Sequence, residues 1–202
     1  MNNSVITSVS PRECELIASG RQTMLVRKTR PKQLETPFKC YIYCSKGKTF
    51  LYKNPNNGEL FLDSNGGYRG GDYEDRFLTG KVIGEFVCDK VEEIMVKADC
   101  ATTNGEHWKL LKIAKEACLS KQELKDYIRV GESGYGWHIS DLKIYDKPKG
   151  LGEFKAWRDC ETPEKEYKNC TFGYRHPTHC EYCQRITRPP QSWVYCEPIE
   201  EE

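Results

Sequence analysis

The stretch that decides the fold is Ser19-Gly-Arg-Gln-Thr-Met-Leu-Val-Arg-Lys-Thr-Arg-Pro-Lys32, a glycine turn that leads directly into a short strand. Glycine lets the backbone reverse without a side-chain clash. If the strand begins at Thr23, successive side chains point to opposite faces. One face then carries Thr23, Leu25 and Arg27, and the other carries Met24, Val26 and Lys28. The pattern predicts that one face closes a core while the other directs a cation into a groove.

Positive charge is concentrated around this stretch. Glu35 is the only acid between positions 21 and 53, and the same segment holds nine bases: Arg21, Arg27, Lys28, Arg30, Lys32, Lys39, Lys46, Lys48 and Lys53. The last residues are acidic, so a net charge of +1 conceals the asymmetry. A basic segment favours a partner that carries phosphates, and an ordinary solvated surface is the alternative.

The bulk composition is typical of a globular protein. The 202 residues are 38% hydrophobic and 30% charged, which predicts one domain over positions 1–202 with an adequate core. No apolar stretch approaches the roughly 20 residues that span a bilayer, and no signal peptide is apparent, so we expect a cytoplasmic protein without a membrane partner. The 11 cysteines are then expected to be thiols or metal ligands.

The hydrophobic pattern predicts a mixed α+β fold with a largely antiparallel sheet or small barrel and helices packed outside it. Helices are expected at 10–19, 105–118 and 120–129, the third beginning at a Ser-x-x-Glu capping box. Glycines and turn residues predict an irregular link at 131–136. Strands are expected at 5–9, 23–27, 38–44, 49–53, 59–63, 81–89, 91–96, 137–145 and 192–196.

Five blocks in this order resemble the ASCH domains of the PUA-like superfamily. The first is Ile17-Ala-Ser-Gly-Arg-Gln-Thr-Met-Leu-Val-Arg-Lys28. Cys40-Tyr-Ile-Tyr-Cys44 and Gly80-Lys-Val-Ile-Gly-Glu-Phe86 lie where that family has core strands. Trp137-His-Ile-Ser-Asp-Leu142 and Arg188-Pro-Pro-Gln-Ser-Trp193 resemble the variant found in phages and prophages. The resemblance implies a PUA-like barrel with a cleft beside the opening motif.

The resemblance also carries functional expectations. ASCH domains are generally regarded as RNA-binding or nucleotide-processing modules, and some small members hydrolyse acetylated cytidine. Those members place a lysine at the position of Gln22 and a threonine at Leu25. Glutamine and leucine cannot act as base or nucleophile there. Arg27 matches the family's arginine and could hold a phosphate or carboxylate with two parallel hydrogen bonds.

The primary functional prediction is therefore a module that binds RNA or a nucleotide, without an evident intact catalytic set. The predicted ligand-binding residues lie in the opening motif and on two tryptophans: Gln22, Arg27, Lys28, Arg30, Lys32, Trp137 and Trp193. A tryptophan in a short strand can instead belong to the core. Two alternatives remain open: a hydrolase of modified nucleosides or RNA that uses Glu85 or His138, and a phage-encoded protein that binds a host protein.

Positions 157–188 form a Cys/His-rich insertion without clean periodicity. Cys180 and Cys183 have the CxxC spacing that lets two thiolates bind one metal ion. A segment with few apolar residues benefits from such a cross-link, which predicts a structural zinc. The expected ligands are Cys160, Cys170, Cys180 and Cys183, with His176 or His179 as replacements. A flexible insertion with ordinary thiols is the alternative.

Overall fold

A computed structural model describes residues 4–64, 76–96, 104–156 and 185–199, with only the backbone described at 104–107. Ten strands, three α-helices and a short 3-10 helix at Leu151–Glu153 occur in these ranges. The strands are β1 Ser4–Val9, β2 Met24–Arg27, β3 Phe38–Cys44, β4 Phe50–Lys53, β5 Leu60–Asp63, β6 Val82–Cys88, β7 Val91–Met95, β8 Ser133–His138, β9 Ser140–Lys149 and β10 Trp193–Cys196. The helices are α1 Pro11–Ala18, α2 Asn104–Glu116 and α3 Lys121–Ile128.

The strands form three sheets. The largest has the order β10-β1-β3-β6-β9, the second β2-β8-β7, and the third is the β4–β5 hairpin. β1 and β3 are parallel, and every other strand pair is antiparallel. The predicted α+β class is confirmed. The described strands do not join into one closed barrel, so the barrel prediction is not confirmed.

Local sequence signals explain where the first and third helices begin and end. The Ser10 hydroxyl accepts a hydrogen bond from the Glu13 backbone N–H, and Ser120 does the same for Glu123. Pro11 occupies the first turn of α1, where its missing N–H costs nothing. Gly20 has a φ of +71°, a conformation that favours glycine and that turns the chain toward β2. The predicted starts of α1 and α3 are therefore confirmed.

The prediction of an irregular link at 131–136 is wrong, because β8 occupies 133–138. Its glycines are needed for packing. A Cβ atom at Gly136 would lie 2.4 Å from Met24 Sδ, and one at Gly134 would lie 2.7 Å from Ile128 Cδ1. The predicted strand at 137–145 is in fact divided. The chain leaves the β2-β8-β7 sheet at Ile139 and enters the large sheet as β9.

Helices cover the second face of the β2-β8-β7 sheet, and this changes the interpretation of β2. Leu25 packs in the core between α1 and the large sheet. Met24 and Val26 pack in a second core with α2 and α3. All four β2 residues are buried, so the expectation of one core face and one groove face is wrong. None of the described helices has the length and apolar character to cross a membrane.

Candidate functional site

A cleft of about 320 Å³ opens beside β2. Helix α1 forms one wall, and the segment from the end of α2 into α3 forms the other. The lining residues are Ser10, Arg12, Glu13, Leu16, Gln22, Val26, Arg27, Ala117, Cys118, Leu119, Glu123 and Tyr127. The volume is at the lower end of the range for small-molecule sites. Of the predicted ligand-binding residues, the structure places Gln22 and Arg27 in this cleft.

Gln22 is the least satisfied polar group in the cleft lining. Its side chain is 2% exposed, and its Nε2 donates to the Met24 carbonyl oxygen over 3.1 Å. The Met24 carbonyl fixes the orientation of the Gln22 amide. If the amide were flipped, Oε1 would face the Met24 carbonyl oxygen, and both atoms are acceptors. Oε1 is buried and has no hydrogen-bond partner among the described residues. Such an acceptor is costly unless a ligand or water donates to it.

Arg27 ties β2 to β1. The guanidinium donates from Nε to Thr7 Oγ1 over 3.0 Å, from Nη2 to the Ser8 carbonyl oxygen over 2.6 Å, and from Nη1 to the Val26 carbonyl oxygen over 2.9 Å. The residue is only 4% exposed. Three of its five N–H groups therefore serve the fold. The arginine borders the cleft without being the free cation that the sequence pattern predicted.

Both capping boxes contribute a glutamate to the cleft lining. Glu13 Oε2 accepts from the Ser10 backbone N–H over 3.2 Å, and Glu123 Oε2 accepts from the Ser120 backbone N–H over 2.8 Å. The Ser120 contacts lower the pKa of Glu123 below its usual value, and the nearby Arg12 guanidinium acts in the same direction. The cleft lining thus combines two arginines with two glutamates. The formal charge of the described lining is therefore balanced. The basic cleft predicted from the sequence is not shown by this lining.

Replacing Ser120 by alanine tests the α3 cap. Alanine keeps the backbone N–H that donates to Glu123, the larger cause of its lowered pKa, and removes the hydroxyl contact, the second cause. The hydroxyl contact to the carboxylate stabilises the fold above the unfolded-state pKa of Glu123. The contribution is lost as the pH falls through the folded-state value. We expect Ser120→Ala to lower the melting temperature at pH 7, and the difference from the wild type to narrow below about pH 4. A difference of equal size at both pH values would contradict this prediction.

The remaining predicted cations are on the surface. Lys28 is exposed, and its Nζ lies 5.5 Å from the ring centroid of Tyr127, which lines the cleft. The Arg30 guanidinium lies 6.0 Å from the ring centroid of Tyr135, and Lys32 is exposed. Lys28 is therefore the cation that the structure places at the cleft rim.

The two predicted tryptophans differ in their accessibility. Trp137 is 0% exposed and packs edge-on against Phe38 at a centroid distance of 5.6 Å. A base cannot stack on an enclosed ring, so Trp137 is a core residue and not a platform. Trp193 is half-buried, and its Nε1 donates to Thr29 Oγ1 over 2.9 Å, beside the basic segment. Trp193 is therefore partly exposed, and its hydrogen-bond partner Thr29 lies between Lys28 and Arg30 in the sequence.

The candidate acid–base residues are separated by the fold. Glu85 lies on β6 and accepts from Lys39 Nζ over 2.8 Å and from the Tyr145 hydroxyl over 2.5 Å. His138 lies at the end of β8, with its Nδ1 2.6 Å from Asp89 Oδ1. Neither lines the cleft. The structure does not bring these two residues together with Gln22 and Arg27.

The described cysteines are free thiols. Burial raises the pKa of Cys88 and of Cys196 to about 12, which keeps both thiols protonated at neutral pH. Cys44 and Cys88 are buried strand residues, as predicted. Cys118 lines the cleft, and its Sγ donates to the Arg21 carbonyl oxygen over 3.2 Å.

The predicted zinc ligands Cys160, Cys170, Cys180 and Cys183, and their replacements His176 and His179, lie outside the described residues. Within the described ranges, no group of three or more His, Cys, Asp or Glu side chains could hold a metal. The zinc prediction has a direct test. We expect elemental analysis of the purified chain to find stoichiometric zinc, and the double variant Cys180→Ser, Cys183→Ser to lose it. A metal-free wild-type protein would favour ordinary thiols.

Comparison with solved structures identifies the architecture. The structure of the ASCH protein from Zymomonas mobilis matches with a TM-score of 0.52 and 16% identity, covering 96% of this chain and 87% of that one. The chain has an ASCH-like fold. A Tyr-to-Phe variant of the Zymomonas protein gives a TM-score of 0.51, and a Ser-to-Ala variant gives 0.53, each at 15% identity and 96% coverage of this chain. No family model and no curated protein matches the sequence.

Sequence patterns alone did not identify Arg12, Cys118, Glu123 and Tyr127 as cleft residues of the ASCH-like fold. The two Ser-x-x-Glu boxes were the available signal, since each predicts where a helix begins. They do not predict that both helix ends border one cleft. That convergence depends on how α2 and α3 pack on β2, which is a tertiary property.

Proposed function

We propose that the chain binds RNA or a nucleotide, with a base inserted into the cleft beside β2. The buried Oε1 of Gln22, which lines the cleft and lacks a partner among the described residues, is the observation that carries this proposal. An unpaired acceptor selects a ligand that presents an N–H donor. Nucleobases present such donors on their edges. The ASCH-like fold and the resemblance to RNA-binding modules support the same ligand class.

Arg27 and the rim residues complete the proposed site. The two remaining N–H groups of Arg27 can donate to a base oxygen or nitrogen, while two others hold β1 and one donates to the Val26 carbonyl oxygen. The exposed ammonium group of Lys28 can contact a phosphate at the rim. Recognition of the base then depends on Gln22 and Arg27. The salt-dependent part of the affinity depends on the surface cations.

The variant Gln22→Met tests the proposal. Methionine has a similar volume and removes both the unpaired oxygen and one hydrogen bond to Met24, so these effects oppose each other. We expect the free energy of unfolding to stay within about 1 kcal/mol of the wild type and nucleotide binding to fall at least roughly tenfold. Titration calorimetry with nucleoside monophosphates and fluorescence anisotropy with labelled single-stranded RNA would measure the loss.

Gln33→Met is the matched control, because Gln33 is exposed on the segment that follows β2. It should bind like the wild type. Equal binding by Gln22→Met and the wild type would exclude the cleft as the base site. Absence of nucleotide and RNA binding by the wild type would exclude the proposed function itself.

Hydrolysis and host-protein binding remain the two alternative predictions. No described contact places Glu85 or His138 at the cleft. Product analysis after incubation with acetylated cytidine or single-stranded RNA would test hydrolysis, and loss of turnover in Glu85→Gln or His138→Gln would support it. Capture from a bacterial lysate treated with nuclease would test a protein partner. The hydrolysis test and the protein-capture test can both be read without the Gln22→Met variant.

A further inference from the structure

Trp108, on α2, is an unusual side chain because it is 69% exposed. Among the large apolar side chains that the structure describes as exposed, it has the highest exposure. Tryptophan usually buries most of its surface, and Trp137 and Trp193 do so here. An indole ring that exposes this much surface on the solvent side of a helix can stack on a planar ligand. It lies outside the cleft lining.

The helix presents lysines beside this ring. Ile113, Ala114 and Ala117 face the core, so the opposite side of α2 faces solvent. Helical spacing places Lys112 and Lys115 on the same side as Trp108, at i+4 and i+7. Both lysines are exposed. We call this surface the α2 face, defined by Trp108, Lys112 and Lys115.

The charges of the α2 face suit phosphates. From Trp108 to Lys115 the helix carries three lysines and no acid. Lys109 Nζ donates to the Glu93 carbonyl oxygen over 3.1 Å. Lys112 Nζ lies 3.7 Å from Glu116 Oε1, a surface pair that contributes little, and the charge of Lys112 also acts on Glu92. An aromatic ring flanked by cations is the arrangement that binds single-stranded nucleic acids without sequence preference.

The same helix leads to the cleft. The residues that follow α2, Ala117 to Leu119, line it. Eight residues of helix separate Trp108 from Glu116, the last residue of α2, a rise of about 12 Å. That distance corresponds to roughly four stacked nucleotides at about 3.4 Å each. A strand with one base in the cleft can therefore reach the Trp108 ring a few nucleotides away.

We propose that the α2 face is a second contact site for single-stranded nucleic acid, in which one base stacks on Trp108 and the backbone phosphates contact Lys112 and Lys115. This proposal rests on the proposed function, because the strand is taken to have another base in the cleft. A membrane surface fits less well. The apolar side of α2 is already buried in the core, so the helix offers a bilayer one ring instead of an apolar stripe.

The test compares a short strand with a single nucleotide. Anisotropy with labelled eight-residue oligouridine and oligothymidine measures strand binding, and calorimetry with uridine monophosphate measures the cleft alone. We expect Trp108→Ala to weaken strand binding roughly 5- to 100-fold and to leave monophosphate binding unchanged. Trp108→Phe should recover most of the loss. Comparing the two oligomers distinguishes RNA from DNA as the source of the strand.

The lysines are tested through salt dependence. The double variant Lys112→Gln, Lys115→Gln should reduce the slope of log affinity against log salt by about 1.4, since each contacted phosphate contributes about 0.7. Lys48→Gln with Lys147→Gln is the matched control, because both lysines are exposed on other elements. The control pair should leave the slope unchanged.

Strand binding by Trp108→Ala equal to the wild type would overturn the second site while leaving the cleft proposal intact. If Trp108→Ala weakens strand binding but Gln22→Met binds the strand and the monophosphate like the wild type, the cleft proposal is overturned and the stacking contact is kept. A wild type that binds neither probe would overturn both proposals. Binding to anionic phospholipid vesicles that depends on Trp108, without strand binding, would assign the α2 face to a membrane.

Discussion

Replacing Arg27 by alanine is expected to lower the free energy of unfolding by about 3 kcal/mol. The change removes two hydrogen bonds that join β2 to β1 and a third to the Val26 carbonyl oxygen within β2. It also leaves the Ser8 and Val26 carbonyl oxygens without these donors in a part of the chain where water has little access. Urea unfolding followed by circular dichroism measures the effect, and the slope with denaturant should change little.

Lys28→Ala is the matched control for this loss. The two residues are adjacent, but Lys28 is exposed and, within the described part of the chain, makes only the cation–π contact with Tyr127. Its replacement should change stability by less than about 0.5 kcal/mol. Similar stabilities for both variants would show that the Arg27 hydrogen bonds do not hold β1 to β2.

This result bears on how binding is tested. A double alanine variant at Arg27 and Lys28 would lose affinity even if neither residue contacted a ligand, because the cleft wall itself would be disturbed. Gln22→Met avoids this problem, since it retains the side-chain volume. The buried arginine is therefore a poor reporter of binding and a good reporter of folding.

Replacing Trp137 by alanine is expected to cost about 3–5 kcal/mol. The ring is fully buried and contacts Phe38 and Trp193 at centroid distances of 5.6 and 6.1 Å. Alanine would leave a large cavity where β8 meets the main core. Thermal and denaturant unfolding measure the loss directly.

Trp137→Phe separates packing from polarity. The indole Nε1 is buried without a hydrogen-bond partner among the described residues, so phenylalanine removes an unsatisfied donor along with part of the ring. This variant should be clearly more stable than Trp137→Ala and should bind nucleotides like the wild type. If Trp137→Phe folds well but loses nucleotide binding, Trp137 contributes to the binding site and is more than a core residue.

The local parts of the fold were predictable from sequence. Ser10 and Pro11 predict the start of α1. The aromatic and β-branched run predicts β3, and the turn residues from Asn54 to Gly58 predict the β4–β5 hairpin. Each of these signals acts within a few residues. The resemblance to ASCH domains predicted the ASCH-like fold that the solved structures support, but the closed barrel it implied is not confirmed among the described strands.

The parts that were not predictable depend on contacts between distant segments. Gly134 and Gly136 suggested a turn, but they are required because Ile128 and Met24 pack against the β8 backbone. Arg27 had the sequence context of a surface cation, but its partners come from β1. The cleft was anticipated beside the opening motif. Its wall from Ala117 to Tyr127 was not, since periodicity does not say which helix covers which strand.

The pairing of β1 with β10 has a consequence for how the chain folds. Ser4 Oγ donates to the Cys196 carbonyl oxygen over 2.7 Å, across a separation of 192 residues. The large sheet can therefore reach its full width only after nearly all of the intervening chain has been synthesised. Contacts of such long range make the search for the native topology slow. Until β10 arrives, β1 keeps an open hydrogen-bonding edge, which is the stage at which a nascent chain is most exposed to misassembly.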